Sequence, residues 1–408
     1  MNNDLRYPHS THDADSPLAS KIAQDLYLLP GTTMSRRGPG GPRPPALRRI
    51  LLTGATGFVG IHLLDELLRR TTAIVHCLVR AENWVDGLKR LATAMQRYGL
   101  DSQHLVSRVV IEVGDLAEPH CGLRPSRWEA LAAELDAVLH NGALVNFVLP
   151  YHELRAPNVV ATRWLLHLAA AAGCRFLYVS TTMAVTAAGG TTQLGRDRIF
   201  EEDPPPSVSF LGAGYGQSKW AAERLVELAT AAGLPTAILR VGMVIGDTRS
   251  GRRPQEQIQA RFVAASVAAG ILPALPRPID LVPVEYISSA TIALLTSAHP
   301  PSGNYHLANP QPVTEKVWQA AVQRLDLKLR ILPFDDWLAA MREAARRTPD
   351  HPLSALVRGA KLGTGLQEFQ QGLPVYDCSR TVSALAGTGV ICPPPDDTLI
   401  ARLLQTTQ

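Results

Sequence analysis

The chain has 408 residues, of which 46% are hydrophobic and 19% are charged, and its formal net charge is +4. This composition is ordinary for a globular protein, so a disordered or collagen-like chain is excluded. The longest uncharged stretches, 176–195 and 262–276, are broken by threonine, glycine or proline, and neither predicts a membrane span. The five cysteines are scattered without a Cys-x-x-Cys pair and the N-terminus lacks an apolar signal core, which fits a reducing cytoplasm.

The chain is predicted to fall into three parts. Residues 1–46 are predicted to be a flexible segment and linker, with a short helix near 18–27 and a basic, Gly/Pro-rich run after residue 31. Strands and helices alternate over 47–250, which predicts an α/β, Rossmann-like, doubly wound parallel sheet with helices on both faces. Residues 251–408 are predicted to form a smaller, mostly helical substrate and carrier-binding subdomain, with some sheet extension near 304–308.

The first strand, at 50–52, leads into a glycine turn and a helix at 61–68. Such a turn directs free backbone N–H groups and the positive end of the helix dipole at one point, where an anion binds. Gly54 permits the tight turn, Gly57 the close approach of a pyrophosphate, and Gly60 close packing of helix on strand. The spacing is one residue longer than the commonest fingerprint, but its strand–turn–helix context predicts a dinucleotide site.

The second strand, at 73–79, is followed by Arg80, where an NAD site usually carries an acid for the ribose 2′-hydroxyl. A guanidinium suits a 2′-phosphate instead, and Arg90 in the helix at 84–98 is a candidate second cation. The charge argument favours NADPH over NADH, whereas the simpler interpretation of Arg80 is a surface cation.

The third and fourth strands, at 108–113 and 137–140, end in further candidate ligands of the cofactor. Asp115 and Leu116 are expected to flank the adenine, while Asn141, Gly142 and Ala143 are expected to run beside the central part of the cofactor. Structural and binding roles remain equally open for these residues. They also remain open for Asn158, in the helix predicted at 153–172, which either satisfies backbone groups or holds a water near Lys219.

The fifth strand, at 175–180, ends in Ser180, Thr181 and Thr182, and the helix at 215–232 carries Tyr215 and Lys219 on one face. A free phenol has a pKa near ~10, and an ammonium one turn away is expected to favour the phenolate and lower that pKa. One of the strand-end hydroxyls, with Thr181 the first choice, is expected to bond a substrate carbonyl beside Tyr215. The simpler alternatives are a surface Tyr/Lys pair and hydroxyls that cap backbone groups.

These motifs together resemble the extended short-chain dehydrogenase/reductases, and several longer ones resemble the thioester reductase domains of nonribosomal peptide synthetases and carboxylic acid reductases. The resemblance runs from about residue 47 to the C-terminus. The matching stretches, in order, are 53–60 (TGATGFVG), 77–81 (CLVRA), 114–117 (GDLA), 140–146 (HNGALVN), 178–181 (YVST), 214–220 (GYGQSKW) and 240–247 (RVGMVIGD), with 282–286 (VPVEY) and 305–307 (YHL) beyond them.

The resemblance implies that NADPH delivers hydride to an acyl thioester held on the phosphopantetheine arm of a carrier protein, releasing an aldehyde or, after a second reduction, an alcohol. It assigns the oxyanion contact to Thr181 and Tyr215, although counting back from Val185 points to Thr182 instead. The implied cofactor contacts are Gly54, Thr56, Gly57, Phe58, Val59, Gly60, Arg80, Arg90, Asp115, Leu116, Asn141, Gly142, Ala143, Ser180, Tyr215, Lys219, Arg240, Val241 and Gly242.

The chain begins with Met1 and no adenylation or carrier region precedes residue 47, so we expect an acyl or peptidyl carrier protein in trans. No nucleic acid, metal or membrane span is expected. Two other interpretations stay open: an extended reductase acting on a free acyl-CoA or a nucleotide sugar, and a non-catalytic NADP-binding sensor. A sensor has no need of Tyr215 and Lys219 together, and fold alone does not decide function.

Overall fold

The computed structural model of the protein describes residues 16–32, 47–186, 197–212, 214–254, 265–275, 277–325, 329–347 and 374–405. The basic run after residue 32 and most of the helix predicted at 256–269 lie outside these ranges.

Seven parallel strands form the central sheet of the described structure, in the order β3-β2-β1-β4-β5-β7-β9. This is the strand order of a Rossmann-like sheet with one added strand, and the predicted fold class is confirmed. Two short parallel pairs, β6 with β11 and β8 with β10, lie outside it. The strands are β1 Arg49–Thr53, β2 Ile74–Val79, β3 Val109–Val113, β4 Ala137–His140, β5 Arg175–Thr181, β6 Arg198–Ile199, β7 Thr236–Val241, β8 Ile271–Pro273, β9 Gly303–Leu307, β10 Arg330–Leu332 and β11 Val375–Tyr376.

Helices cover both faces of the sheet. Successive side chains of a strand point to opposite faces, so apolar side chains on both faces have to be buried. In β1, Leu51 packs into one buried cluster, whereas Ile50 and Leu52 pack into the other. The helices are α1 Pro17–Ala23, α2 Phe58–Arg70, α3 Trp84–Tyr98, α4 Leu105–Arg108, α5 Pro125–Glu134, α6 Tyr151–Arg155, α7 Ala161–Ala172, α8 Gly214–Ala231, α9 Val284–Thr296, α10 Glu315–Arg324, α11 Phe334–Arg347, α12 Ser379–Leu385 and α13 Asp397–Gln405.

The segment 16–32 is packed against the α/β core, which corrects its assignment to a flexible N-terminal region. Ile22 is fully buried in the cluster that α7 and α8 share with the sheet. The carboxylate of Asp25 accepts hydrogen bonds from Tyr151 Oη at 2.8 Å and from Arg155 Nε at 2.7 Å. The guanidinium of Arg163 lies 4.0 Å from the centroid of the Tyr27 ring. The segment is therefore anchored to α6 and α7 by both apolar and charged contacts.

The helix predicted at 153–172 is divided. Between α6 and α7 the backbone forms one π-helical turn, Ala156–Val160, which widens the helix and carries the buried Asn158. Wide turns of this kind recur where a helix must direct a side chain out of its regular register.

Candidate active site

The turn between β1 and α2 has the backbone geometry that its glycines predict. Gly54 has a φ of +71°, a left-handed conformation that favours glycine. A Cβ on Gly60 would lie 1.9 Å from the carbonyl oxygen of Gly54, so helix and turn touch there. At Gly57 the nearest atom to such a Cβ is 3.4 Å away, and α2 begins there without a side-chain cap. The surface of the turn is therefore open at Gly57. A bound pyrophosphate would need backbone N–H groups at this position.

The side chains around this turn divide into inward and accessible ones. Phe58 is buried, and its ring packs 4.9 Å from the ring of Tyr98, so only its backbone is available to a ligand. Thr56 and Val59 are half-buried at the mouth of the turn.

The end of β4 lies directly against the glycine turn. Asn141 Nδ2 donates to the carbonyl of Gly54 at 3.3 Å, and the N–H of Gly142 donates to Thr53 Oγ1 at 2.8 Å. A Cβ on Gly142 would lie 2.6 Å from Leu116 Cδ1, which places the end of β3 alongside. The structure thus brings three predicted strand ends together.

Two other strand-end residues lie beside them. Ala143 is half-buried. Asp115 is half-buried too, and its Oδ1 accepts from the N–H of Ala117 at 2.9 Å.

His140 is a packing and hydrogen-bonding residue below this surface. It is fully buried, and burial lowers its pKa well below the usual value, so the ring is neutral. Thr162 donates to the carbonyl of Asn158 at 2.7 Å and so accepts from His140 Nε2 at 3.0 Å. His140 Nδ1 then accepts from Thr53 Oγ1 at 2.7 Å. This chain of hydrogen bonds connects the glycine turn to the π-helical turn.

Arg80 and Arg90 are brought together at the end of β2. Both side chains are exposed, and Arg90 Nη1 donates to the backbone carbonyl of Arg80. Two exposed arginines therefore lie at one strand end, and guanidinium groups are suited to binding a phosphate.

Tyr215 and Lys219 lie in the first turns of α8, and both are buried. Lys219 Nζ donates to the carbonyl of Val179 at 2.7 Å and lies 4.1 Å from the centroid of the Tyr178 ring. Burial lowers the pKa of Lys219 to about 7, with Glu223 opposing the shift. Burial also raises the pKa of Tyr215 above its usual value. The expectation that Lys219 lowers the pKa of Tyr215 is therefore wrong in this structure, and Tyr215 is a neutral phenol able to donate a proton.

The three strand-end hydroxyls have different environments. Ser180 Oγ is buried and donates to Glu223 Oε1 at 2.6 Å. Thr181 is half-buried, and its Oγ1 accepts from the N–H of Met183 at 3.3 Å, as an N-cap does. Thr182 is buried, and within the described parts of the chain its hydroxyl has no hydrogen-bond partner. The short 3₁₀ turn Thr182–Ala184 packs on the start of α8, since a Cβ on Gly216 would lie 3.0 Å from the carbonyl of Met183.

Arg240, predicted as a cofactor contact, does not present its side chain to the crevice above the strand ends, so any contact it makes there is through its backbone. Its guanidinium is fully buried and donates to Glu223 through Nη2 at 2.9 Å and Nε at 3.2 Å. Val241 is also buried. A Cβ on Gly242 would lie 1.7 Å from Asp280 Oδ2, so this glycine makes room for a buried carboxylate. Ser180 likewise directs its hydroxyl to Glu223 and not outward.

Sequence reasoning missed three residues that organise this site. Glu223, one turn beyond Lys219 in α8, bonds Ser180 and Arg240, and its i+4 spacing from Lys219 was an available signal. Asp280 accepts from the N–H groups of Asn309 at 2.6 Å and Met243 at 3.2 Å. Tyr376 reaches the site from the far end of the chain, and no local pattern indicates that contact.

Asn158 satisfies backbone groups, which is one of the two roles that the sequence left open. Its amide exchanges two hydrogen bonds with the backbone of Leu144, at 2.7 and 3.1 Å, and donates to Ser218 Oγ at 2.9 Å. It thereby connects the loop after β4 to α8.

The described residues were compared with the requirements of a metal site and of a membrane-spanning helix. Across the described ranges, no group of three or more His, Cys, Asp or Glu side chains is arranged to hold a metal ion. Among the same residues, no helix combines the length and apolar character needed to traverse a bilayer.

Comparison with known proteins decides the family. The model of an NAD-binding family described as "Male sterility protein" matches residues 52–291. The chain belongs to this family. The structure is also similar to the crystal structure of the terminal R domain from the myxalamid PKS-NRPS biosynthetic pathway, with a TM-score of 0.85 and 37% identity over 95% of this chain and 97% of that one.

Curated relatives of the family extend the comparison. The chain is 34% identical over 97% of its length to one of the proteins of the linear gramicidin synthase of Brevibacillus parabrevis. It is 32% identical over 86% of its length to the L-2-aminoadipate reductase large subunit of Eremothecium gossypii. It spans 8% and 26% of the length of these two proteins. The predicted membership among terminal reductase domains and the oxidoreductase class are confirmed, and the family binds a nicotinamide cofactor.

Proposed function

We propose that this protein is an NADPH-dependent reductase that releases an acyl or peptidyl thioester from a carrier protein as an aldehyde. The observation that carries the proposal is that Tyr215 and Lys219 are buried at the start of α8, against which packs the short turn that begins at Thr182, whose hydroxyl has no partner among the described residues. The reductase family gives this arrangement its chemical context.

The residues present fit a dinucleotide. A side chain at residue 57 would fill the open surface of the turn, so glycine keeps it accessible. The N-terminus of α2 lies at the same place and has no side-chain cap. The backbone of 54–60 would hold the pyrophosphate, with Asn141, Gly142 and Ala143 beside it and Asp115 and Leu116 at the adenine end. Lys219 would donate to the nicotinamide ribose. When bound, the cofactor supplies the hydride.

The protein's own groups act on the substrate carbonyl. Hydride addition to the carbonyl carbon places negative charge on its oxygen, and Tyr215 and Thr182 stabilise that charge by donating hydrogen bonds. Because its pKa is raised, Tyr215 is protonated at neutral pH and transfers its proton to the oxygen, which forms a thiohemiacetal. The C–S bond then breaks as the hydroxyl returns its proton to the Tyr215 phenolate, and the departing thiolate takes a proton from water, so the products are an aldehyde and the carrier thiol.

Preference for NADPH rests on Arg80 and Arg90, two exposed residues that are brought together at the end of β2 by the contact of the Arg90 guanidinium with the backbone of Arg80. Charge-assisted hydrogen bonds to a phosphate contribute about 1.5–3 kcal/mol each. We expect Arg80→Ala to raise the KM for NADPH roughly tenfold or more and to leave the KM for NADH nearly unchanged. Lys89→Ala, an exposed cation of the same helix as Arg90, is the matched control; equal effects of Arg80→Ala on both cofactors would remove the phosphate assignment.

A carrier protein is the proposed source of substrate because relatives include peptide synthetases, and one similar solved structure is a thiolation-reductase di-domain. We propose that a carrier supplied in trans presents the thioester, and that a free acyl-CoA, which shares the pantetheine arm, is the alternative.

The direct test is mass spectrometry of products after incubation with NADPH and a panel of loaded carriers and CoA esters. We expect aldehyde and stoichiometric NADPH oxidation with the carrier-bound thioester. Tyr215→Phe should remove most of the rate while cofactor binding persists, and an unchanged rate in that variant would refute the assigned acid. Turnover of CoA esters alone would favour the acyl-CoA alternative.

A further inference from the structure

Exposed apolar side chains are concentrated in the loop that follows β4. Of the twelve large apolar side chains that are exposed in the described part of the chain, four lie within five consecutive residues. A concentration of this kind on a surface marks a binding site more often than scattered single residues do. The four side chains and their exposed fractions are Leu144 40%, Val145 57%, Phe147 38% and Val148 69%, and we call them the apolar loop.

The apolar loop is held open by polar contacts at both ends. Asn158 binds the N–H and the carbonyl of Leu144, at 2.7 and 3.1 Å. Asn146 Oδ1 accepts from the N–H groups of Val148 at 2.8 Å and Leu149 at 2.9 Å. Because these contacts fix the backbone, the loop presents its hydrocarbon side chains outward, and a ligand that binds them loses little free energy to ordering the loop.

The loop touches the proposed acid. The ring of Phe147 lies edge-on to the ring of Tyr215, with centroids 5.4 Å apart and an interplanar angle of 79°. A Cβ on Gly214 would lie 2.4 Å from the carbonyl oxygen of Leu149, so the loop is also pressed against the first residue of α8. A substrate whose carbonyl reaches the phenol of Tyr215 therefore comes close to the apolar loop.

We infer that the apolar loop binds the hydrocarbon part of the acyl group, and that the protein prefers thioesters of apolar acyl chains; this inference rests on the proposed function. A thioester carbonyl carbon carries an oxygen, a sulfur that continues into the pantetheine arm, and the acyl chain. The arm contains amides, which need hydrogen-bond partners that hydrocarbon side chains do not supply. An aliphatic chain has no such need and gains from leaving water at this surface.

The test is a series of straight-chain acyl thioesters, from acetyl to decanoyl, on one carrier with NADPH. Burial of a methylene strengthens binding roughly two- to fourfold, so kcat/KM of the unmodified protein should rise by about that factor for each methylene added. The double variant Val145→Ser/Val148→Ser changes two exposed positions and should fold normally. It should flatten the chain-length dependence, lose about 10- to 100-fold at decanoyl and stay within about twofold at acetyl.

Val106→Ser is the matched control, because Val106 is 82% exposed and lies in α4, which leads into the opposite end of β3 from the site. It should leave the chain-length dependence unchanged. A double variant that keeps the full chain-length dependence overturns the inference. Equal losses at every chain length overturn it too, because they would place the pantetheine arm on the loop. Absence of turnover with every thioester in the unmodified protein refutes the proposed function itself.

Discussion

Tyr376 donates a hydrogen bond of 2.7 Å to Thr186, although 190 residues separate them in the chain. The direction follows from Thr186 Oγ1, which donates its own hydrogen to the carbonyl of Thr182 at 2.8 Å. Both residues are buried, and pairing of β11 with β6 brings the C-terminal segment alongside. The turn that carries the candidate catalytic hydroxyl is thus supported by a relay from the far end of the sequence.

Removing the donor of this relay should loosen the turn. Tyr376→Phe removes the neutral hydrogen bond to Thr186, whose loss is expected to lower the free energy of unfolding by about 1 kcal/mol. We expect kcat to fall about three- to tenfold, because a small displacement of Thr182 weakens its contact with the oxyanion. The KM for NADPH should stay within about twofold, since the glycine turn is not involved. Steady-state kinetics and urea unfolding measure both.

A matched control for this variant is Tyr286→Phe. Tyr286 is equally buried, and its hydroxyl has no hydrogen-bond partner among the described residues. Its kcat should be unchanged. A fall in kcat for Tyr286→Phe as large as that for Tyr376→Phe would argue against the relay.

The two candidate threonines should separate in kinetics. Thr182→Val removes the hydroxyl that has no partner among the described residues, and we expect kcat to fall about 10²- to 10³-fold, as for loss of one oxyanion donor. Thr181→Val removes the cap on Met183, so it should cost about 1 kcal/mol of stability and less activity. Thr182→Ser should restore most of the rate. The opposite ranking of kcat would assign the role to Thr181.

Stability should depend on pH through Lys219. Burial lowers the pKa of Lys219 to about 7 in the folded protein, from 10.5 in the unfolded chain. Between these values the unfolded chain binds more protons, so the free energy of unfolding rises with pH, by up to about 1.4 kcal/mol per pH unit. Lys219→Met should lack this rise between pH 7.5 and 9.5, while the exposed Lys89→Met keeps it. Asp280, whose pKa is raised to about 7 by burial, titrates mostly below this range.

The measurement for this prediction is urea unfolding of the protein without added cofactor at several pH values. Parallel pH dependences for the unmodified protein and Lys219→Met would mean that Lys219 stays charged when the chain is folded.

Two glycines of the turn should respond differently to the same substitution. A Cβ on Gly60 would lie 1.9 Å from the carbonyl oxygen of Gly54, so Gly60→Ala should lower stability by about 2 kcal/mol or more and abolish cofactor binding. Gly57 has room for a Cβ and a φ of −79°, so Gly57→Ala should change stability by less than about 1 kcal/mol. That methyl would still occupy the open face of the turn and weaken binding. Thermal unfolding and NADPH fluorescence titration separate the two effects, and normal NADPH affinity in Gly57→Ala would place the pyrophosphate elsewhere.

Local patterns predicted the scaffold well. The helix Trp84–Tyr98 and the strand Ala137–His140 were predicted at their observed bounds. Hydrophobic periodicity and the glycine turn are read over a few residues, and a parallel sheet then places every strand end at one edge. Membership in the family followed from the same strand-end motifs, because each is a short contiguous string.

What escaped prediction depends on contacts between distant residues. Arg240 follows the pattern of a strand-end ligand. Only the packing of α8 on β7 shows that its guanidinium forms a buried ion pair with the carboxylate of Glu223. The pKa of Tyr215 was predicted in the wrong direction, because sequence spacing gives the distance to Lys219 but not the loss of water around the phenol.

The sequence by itself determined the parallel sheet, the glycine turn and the placement of Tyr215 and Lys219 one turn apart on the same helix, since these depend on local backbone preferences and helical spacing. Tertiary structure alone decided which hydroxyls already have hydrogen-bond partners, which charges are buried and which side chains surround the phenol of Tyr215. Those properties depend on solvent exclusion and on partners such as Tyr376, which the fold brings to Thr186 from the other end of the chain.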